Sequence, residues 1–308
     1  LAANDLSSVA QLLQIGCVGF GLFAELFHLP CLEDERGGLV VRDVAGVAHG
    51  DELDTAFGGL RGRGPADGRR LALCTGDAVT LPEVGVAEVR GGRALRELTP
   101  RALTDFNGPL LSQLELSTPV ETWITTEDGA RTHAWVMTPP GHSTRARRRP
   151  GVLLVHGGPH ALYGTTFFHE FQVLAAAGHV VVFSNPRGSK GYGEDHCTAI
   201  QGRWGEADWV DVQAVAGFME QHPDIDPRRI GIAGCIYGGY MTNWAITHSD
   251  RFAAAITDRC VANLVSMAGS SDYPLVPGEY WPGNPWDDNQ EIWRQSPIRS
   301  IRNVSPPT

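Results

Sequence analysis

The chain has 308 residues, enough for one large or two modest domains, with 42% hydrophobic and 19% charged residues, the balance of a folded globular protein and not of a disordered one. A net charge of −10 argues against nucleic acid or an anionic membrane as a partner. The six cysteines include no C-x-x-C pair, which favours reduced thiols in a cytoplasmic protein over a disulfide framework or a zinc site.

The first 64 residues carry few signals. Asp5 to Gln14 has Leu6, Val9 and Leu13 at helical spacing. The run from Gly16 to Gly21 lacks the glycine order and the preceding strand of a nucleotide loop, so no cofactor is expected. His28 and Cys31 have no second pair and are not expected to hold a metal. Ile15 to Pro30, the most apolar stretch, is too short to span a bilayer and contains Glu25 and His28. From Arg69 the pattern turns to strands. Leu71 to Cys74 is a short apolar run, and the alternating segments Val84 to Val89 and Arg93 to Leu98 flank Gly91-Gly92 as a hairpin.

After Pro119, Val120 to Thr125 and His133 to Met137 form a second expected hairpin across Glu127-Asp128-Gly129. The loop from Pro139 to Pro150, with Arg145, Arg147, Arg148 and Arg149, is expected to be a solvated connection. Strands at Val152–Val155, Val180–Phe183, Ile230–Ala233 and Ala253–Thr257 then alternate with helices at Phe167–Ala177, Asp208–Gln221 and Tyr237–His248. Continuous apolar strands between helices predict a parallel sheet covered on both faces. Ligands bind such a sheet at the carboxyl ends of its strands, where the polar and glycine-rich clusters fall.

Three clusters carry the chemistry. Gly234-Cys235-Ile236-Tyr237-Gly238-Gly239 joins a buried strand to a helix, the setting of a G-x-S-x-G nucleophile elbow. Its apex is Ile236 where a serine is expected. His156-Gly157-Gly158-Pro159-His160 follows an earlier strand, and its glycines suit a loop that presents a backbone amide to a reacting oxygen. The intervening Gly-Gly-Pro cannot be helical, so the two histidines are not expected to form a metal pair. In Asn185-Pro186-Arg187-Gly188-Ser189-Lys190-Gly191-Tyr192-Gly193, Arg187 is a candidate for a substrate carboxylate or carbonyl.

HGGPH, NPRGSKGYG and GCIYGGYMTNW, in this order, resemble the catalytic domain of the prolyl oligopeptidase family of serine peptidases, in its acylaminoacyl-peptidase and dipeptidyl-aminopeptidase branch. The stretch Tyr280-Trp281-Pro282-Gly283-Asn284-Pro285-Trp286 is similar to that branch too. The resemblance implies an α/β-hydrolase fold over residues 116–308, mostly parallel and incomplete at its C-terminal end. A β-rich end of a propeller-like domain is implied over 1–115. It implies Gly158 and the Tyr237 amide as oxyanion donors, Gly234, Gly238 and Gly239 as elbow glycines, position 236 as the nucleophile, and His156 and Arg187 on the substrate side. It implies a peptide substrate and no cofactor or metal.

The family's acid and base have no counterpart in the sequence. After position 236 the one histidine is His248, on the elbow helix, and Asp258 ends a strand with no base to orient. A chain running from Leu1 to Ser305-Pro306-Pro307-Thr308 therefore reads as a piece of something longer. Isoleucine has no lone pair to attack a carbonyl, so an inactive hydrolase acting by descent on short or N-acylated peptides is expected. The alternatives are a peptide-binding pseudo-hydrolase and a fragment without function. Cys235, one position off the apex, is not expected to replace the nucleophile.

Overall fold

The computed structural model describes residues 70–88, 100–143, 147–271, 280, 283–284, 286 and 289–308, with two short strands at 47–48 and 61–63. The expected helix at Asp5 to Gln14, the glycine run at 16–21, the His28/Cys31 pair and the second arm of the Gly91-Gly92 hairpin lie outside the described residues. Among the described residues no helix is long and apolar enough to cross a membrane.

The N-terminal part is an antiparallel sheet of five strands in sequence order: β1 (Val47–Ala48), β2 (Arg61–Arg63), β3 (Arg70–Thr75), β4 (Glu83–Glu88) and β5 (Arg101–Ala102). The Leu71–Cys74 run is the middle of β3, and β4 covers most of the first arm of the expected hairpin. A short helix, α1 (Gly108–Leu111), follows. Glu83 holds this turn to the sheet by accepting from the Asn107 backbone N–H at 2.8 Å, the Asn107 side chain at 2.9 Å and the Thr104 hydroxyl.

The rest of the chain is built on a six-stranded sheet. It opens with the expected hairpin, β6 (Val120–Thr125) and β7 (Arg131–Met137). The strands β8 (Arg149–Val155), β9 (Val180–Asn185), β10 (Ile225–Cys235) and β11 (Ala254–Asp258) follow, and the spatial order is β11-β10-β8-β9-β7-β6. From β9 to β11 all neighbours are parallel, while β7 runs antiparallel to both β9 and β6. Side chains alternate between faces along a strand, and the two cores follow that rule. Leu153, Val155, Val180, Val182, Ile230 and Ile232 enter one core, whereas Val152, Leu154, Val181, Phe183 and Ala233 enter the other.

The larger core is closed by α4 (Ala207–Gln221), which buries Val212, Val215, Ala216 and Met219 at the spacing seen in the sequence, and by α5 (Tyr237–His248). The smaller is closed by α2 (His169–Ala176) through Phe171, Leu174 and Ala175. Between them lies the short α3 (Glu194–Thr198), and beyond β11 come α6 (Leu264–Ser270), α7 (Gln290–Arg294) and a 3-10 segment (Pro297–Asn303). Buried Gln172 of α2 bonds both Ser117 N (2.8 Å) and Ser117 O (2.9 Å) and donates to Ala78 O (2.8 Å), fixing the segment before β6 onto the sheet's helical layer. At the other edge, Ala255 N of β11 donates to Pro307 O at 3.0 Å.

Candidate active site

The carboxyl ends of β8 and β10 place two glycine-rich loops side by side. The second is a fully formed elbow. Cys235 ends β10, Tyr237 opens α5, and Ile236 between them has φ 59° and ψ −112°. A β-branched residue is rarely found with positive φ; the conformation persists because the neighbours leave no alternative. Ile236 N donates to Asp258 O at 3.1 Å, and Ile236 O accepts from Tyr240 N at 3.0 Å. A methyl on Gly234 would lie 2.4 Å from the Gly238 carbonyl, one on Gly238 2.0 Å from Val155 O, and one on Gly239 2.8 Å from Cys260 Cβ. All three positions therefore need glycine for close approach.

Gly158, in the loop after β8, has φ 121°. It lines one small cavity with Ile236 and Tyr237, and Trp204, Val261 and Tyr280 supply apolar walls. The cavity holds about 10 Å3, room for about one water molecule. Tyr237 is the first residue of α5, so its amide has no acceptor inside the helix. The Tyr237 phenol is buried and donates to Asp208 Oδ2 at 2.5 Å. Asp208 is itself fully buried and accepts from the amides of Gly205 and Trp209, both at 2.9 Å. Burial pushes the Asp208 carboxyl up to about 6, against the Tyr237 bond that pulls it down. Burial, with the Asp208 charge second, raises the Tyr237 phenol well above its ordinary value, so it stays a donor.

His156 and Arg187 are not on an open substrate face. His156 is buried, with Nδ1 2.7 Å from Gly157 O and Nε2 2.8 Å from Ser189 Oγ. Burial holds the ring down at about 4, so it is neutral; Nδ1 faces the Gly157 carbonyl, and the Ser189 hydroxyl that Nε2 contacts donates in turn to Pro186 O at 2.6 Å. Its work is to join the two glycine-rich loops. Arg187 forms a fork on Asp211, at 3.0 Å from Nε and 2.7 Å from a terminal nitrogen, and its other terminal nitrogen lies 2.7 Å from Asp128. Each of its three guanidinium nitrogens is thus held by α4 or the β6–β7 turn.

His160 points elsewhere than His156, with Nδ1 2.9 Å from Gly188 O and 3.4 Å from Cys197 Sγ. His248 stacks on Trp244 at 4.0 Å at the far end of α5, about 16 Å along the helix from the elbow. Asp258 gives its carbonyl to the elbow, and its carboxylate accepts from Arg259 Nε at 3.0 Å. Asp208, Asp211 and Gln172 belong to none of the three motifs in the sequence. The two aspartates were findable, since a spacing of three puts both on one face of the first turns of a helix.

Residues 165–308 match the family model described as "Prolyl oligopeptidase family". An uncharacterized peptidase of Bacillus subtilis, YuxL, is 41% identical over 67% of this chain and 32% of its own length. The mouse acylamino-acid-releasing enzyme is 31% identical over 56% of this chain and 25% of its own. The solved acylaminoacyl peptidase of Pyrococcus horikoshii superposes with a TM-score of 0.70 at 31% identity, over 80% of this chain and 38% of that protein. The chain thus spans about a third or less of the curated relatives it matches. It has the α/β-hydrolase fold, and its sheet, elbow and glycine-rich loops belong to the prolyl oligopeptidase family of serine peptidases.

Proposed function

We propose that this chain is the hydrolase domain of a prolyl oligopeptidase-type peptidase, descended from enzymes acting on short or N-acylated peptides, and that it is catalytically silent. The observation that carries the reading is Ile236 at the apex of an otherwise intact elbow. Acyl transfer requires an oxygen or sulfur nucleophile there, with a base to take its proton. Ile236 offers neither a lone pair nor a proton. In the family order of nucleophile, acid and base, the base has one candidate downstream, His248, and that ring is stacked on Trp244. Gly158 and Tyr237 remain as oxyanion donors without an oxyanion to stabilise. The substrate preference implied for the family rests on the acylaminoacyl relatives alone.

A fluorophosphonate probe, which reacts with activated serine, is expected to leave the chain unlabelled. Labelling that disappears on mutation of any serine in the chain would overturn the reading. Ile236→Ser by itself is expected to restore no hydrolysis of an N-acetylated p-nitroanilide, because a hydroxyl without a base is a weak nucleophile. The water-sized cavity beside Ile236 supports a scaffold role over peptide capture, so calorimetry with N-acetylated peptides should record no binding heat. Saturable heat at millimolar peptide would favour the binding-module alternative.

A further inference from the structure

A second concave site lies at the opposite end of the sheet. Parallel β8 and β10 begin with Arg149 opposite Ile225 and end near the elbow. The strand length alone, about 3.3 Å per residue, separates their starts from the elbow by about 20 Å. At those starts Arg147, Asp226, Arg228 and Arg229 line a groove of about 390 Å3, within the size range of small-molecule sites. The charge within it is unbalanced. Asp226 is engaged by Arg229 Nε at 3.0 Å and by the Arg228 backbone N–H at 3.1 Å. Those bonds hold its carboxyl below its usual range. Arg229 also donates to Arg148 O at 3.0 Å, which fixes its guanidinium in the wall.

The remaining arginines are not used up. The Arg228 guanidinium lies 3.7 Å from Asp226, and its side chain is 89% exposed. Among the described residues, Arg147 makes no ion pair or side-chain hydrogen bond. On a chain of net charge −10, this leaves a local excess of guanidinium around one concavity. An ion pair with a solvated surface carboxylate is worth little. Several guanidinium forks converging on one anion give charge-assisted, bidentate contacts, the geometry suited to phosphate oxygens. A peptide brings at most one carboxylate per residue, spread along an extended backbone, whereas a phosphate ester or polyphosphate concentrates two or more charges in a small volume.

We propose that this groove is a binding site for a compact phosphate-bearing anion, with Arg147 and Arg228 as the exposed contacts and Arg229 as the anchored one. The site is independent of the elbow and of whether that elbow is silent. Isothermal titration of the chain with pyrophosphate at low ionic strength should give saturable binding. Arg147→Gln and Arg228→Gln should each weaken it about tenfold, a size typical for loss of one charge-assisted contact, and the pair together should abolish it. Arg228→Lys keeps the charge without the fork and should recover only part of the affinity. A nucleoside triphosphate binding no more tightly than pyrophosphate would show that the groove reads phosphates alone; tighter binding would show a contribution from the nucleoside. No saturable binding at millimolar pyrophosphate overturns the proposal. So does wild-type affinity in the doubly substituted chain, or a triglutamate peptide that binds more tightly than pyrophosphate.

Discussion

Ile236 sits in a backbone conformation that costs on the order of 1–3 kcal/mol for a non-glycine residue, and the fold imposes it by close packing on either side. The decisive contacts are backbone to backbone, which cannot swing aside as a long side chain would. Gly238→Ala would push a methyl to 2.0 Å from Val155 O, and is expected to cost at least about 3 kcal/mol, the upper range for overpacking. Gly157→Ala is the control. Its methyl would meet Cys235 O at 3.2 Å, with no positive φ to oppose it, and the expected cost is below about 1 kcal/mol. Urea unfolding of the two variants measures the difference. Equal costs would mean that the elbow relaxes in solution and that the strain at Ile236 is not held.

Two acids on one helix turn the glycine-rich loops into a fixed frame. Asp208 of α4 holds the Tyr237 phenol, and Asp211, one turn on, holds Arg187 and its backbone N–H, the latter at 2.6 Å. Arg187→Met would leave the buried Asp211 carboxylate without its cation, at an expected cost of about 3 kcal/mol, the lower range for breaking a buried pair. Adding Asp211→Asn should return part of that loss, because the stranded charge is gone; a single-variant cost below about 1 kcal/mol in denaturant unfolding would mean solvent already screens the pair. The same elements show what the sequence made legible. The apolar runs of β8, β9 and β10 and the spacing on α4 were visible because burial writes itself as periodicity. The elbow was visible because its glycines are required by contact. The inward turn of His156 and the clamp on Arg187 were not, since a polar side chain's partner lies 24 or 33 residues away. Motif position reveals a residue's location on the loop and says nothing of which way it faces.

At the scale of the whole molecule, the buried titratable groups set opposing slopes of stability against pH. Burial lowers His133, His156, His179, His196 and His222. The unfolded chain therefore takes up protons on these rings near its ordinary histidine value, about 6.5, before the native state does, and stability falls as pH drops below that point. Three carboxylates act the other way. Burial raises Asp208 to about 6 and Asp211 in the same direction, and burial followed by the Asp258 charge raises Glu170 to about 7. The native state holds these protons longer than the unfolded chain, so stability falls as pH rises through the folded values. Below about pH 6.5 the histidines outnumber the carboxylates and dominate; above it the histidine contribution is flat while Glu170, raised to about 7, still loses its proton. A stability maximum near pH 6.5 follows, steeper on the acid side. Urea midpoints at about pH 5, 6.5 and 8 should be highest at the middle value and lowest at the acid one. Glu170→Gln should raise the midpoint on the alkaline side and leave the acid side steep, because it removes a carboxylate that is still ionising there. A midpoint that rises steadily from acid to alkaline in the unmodified chain would show that Glu170 is solvated in solution, and that the cover over the first turn of α2 is looser than its burial implies.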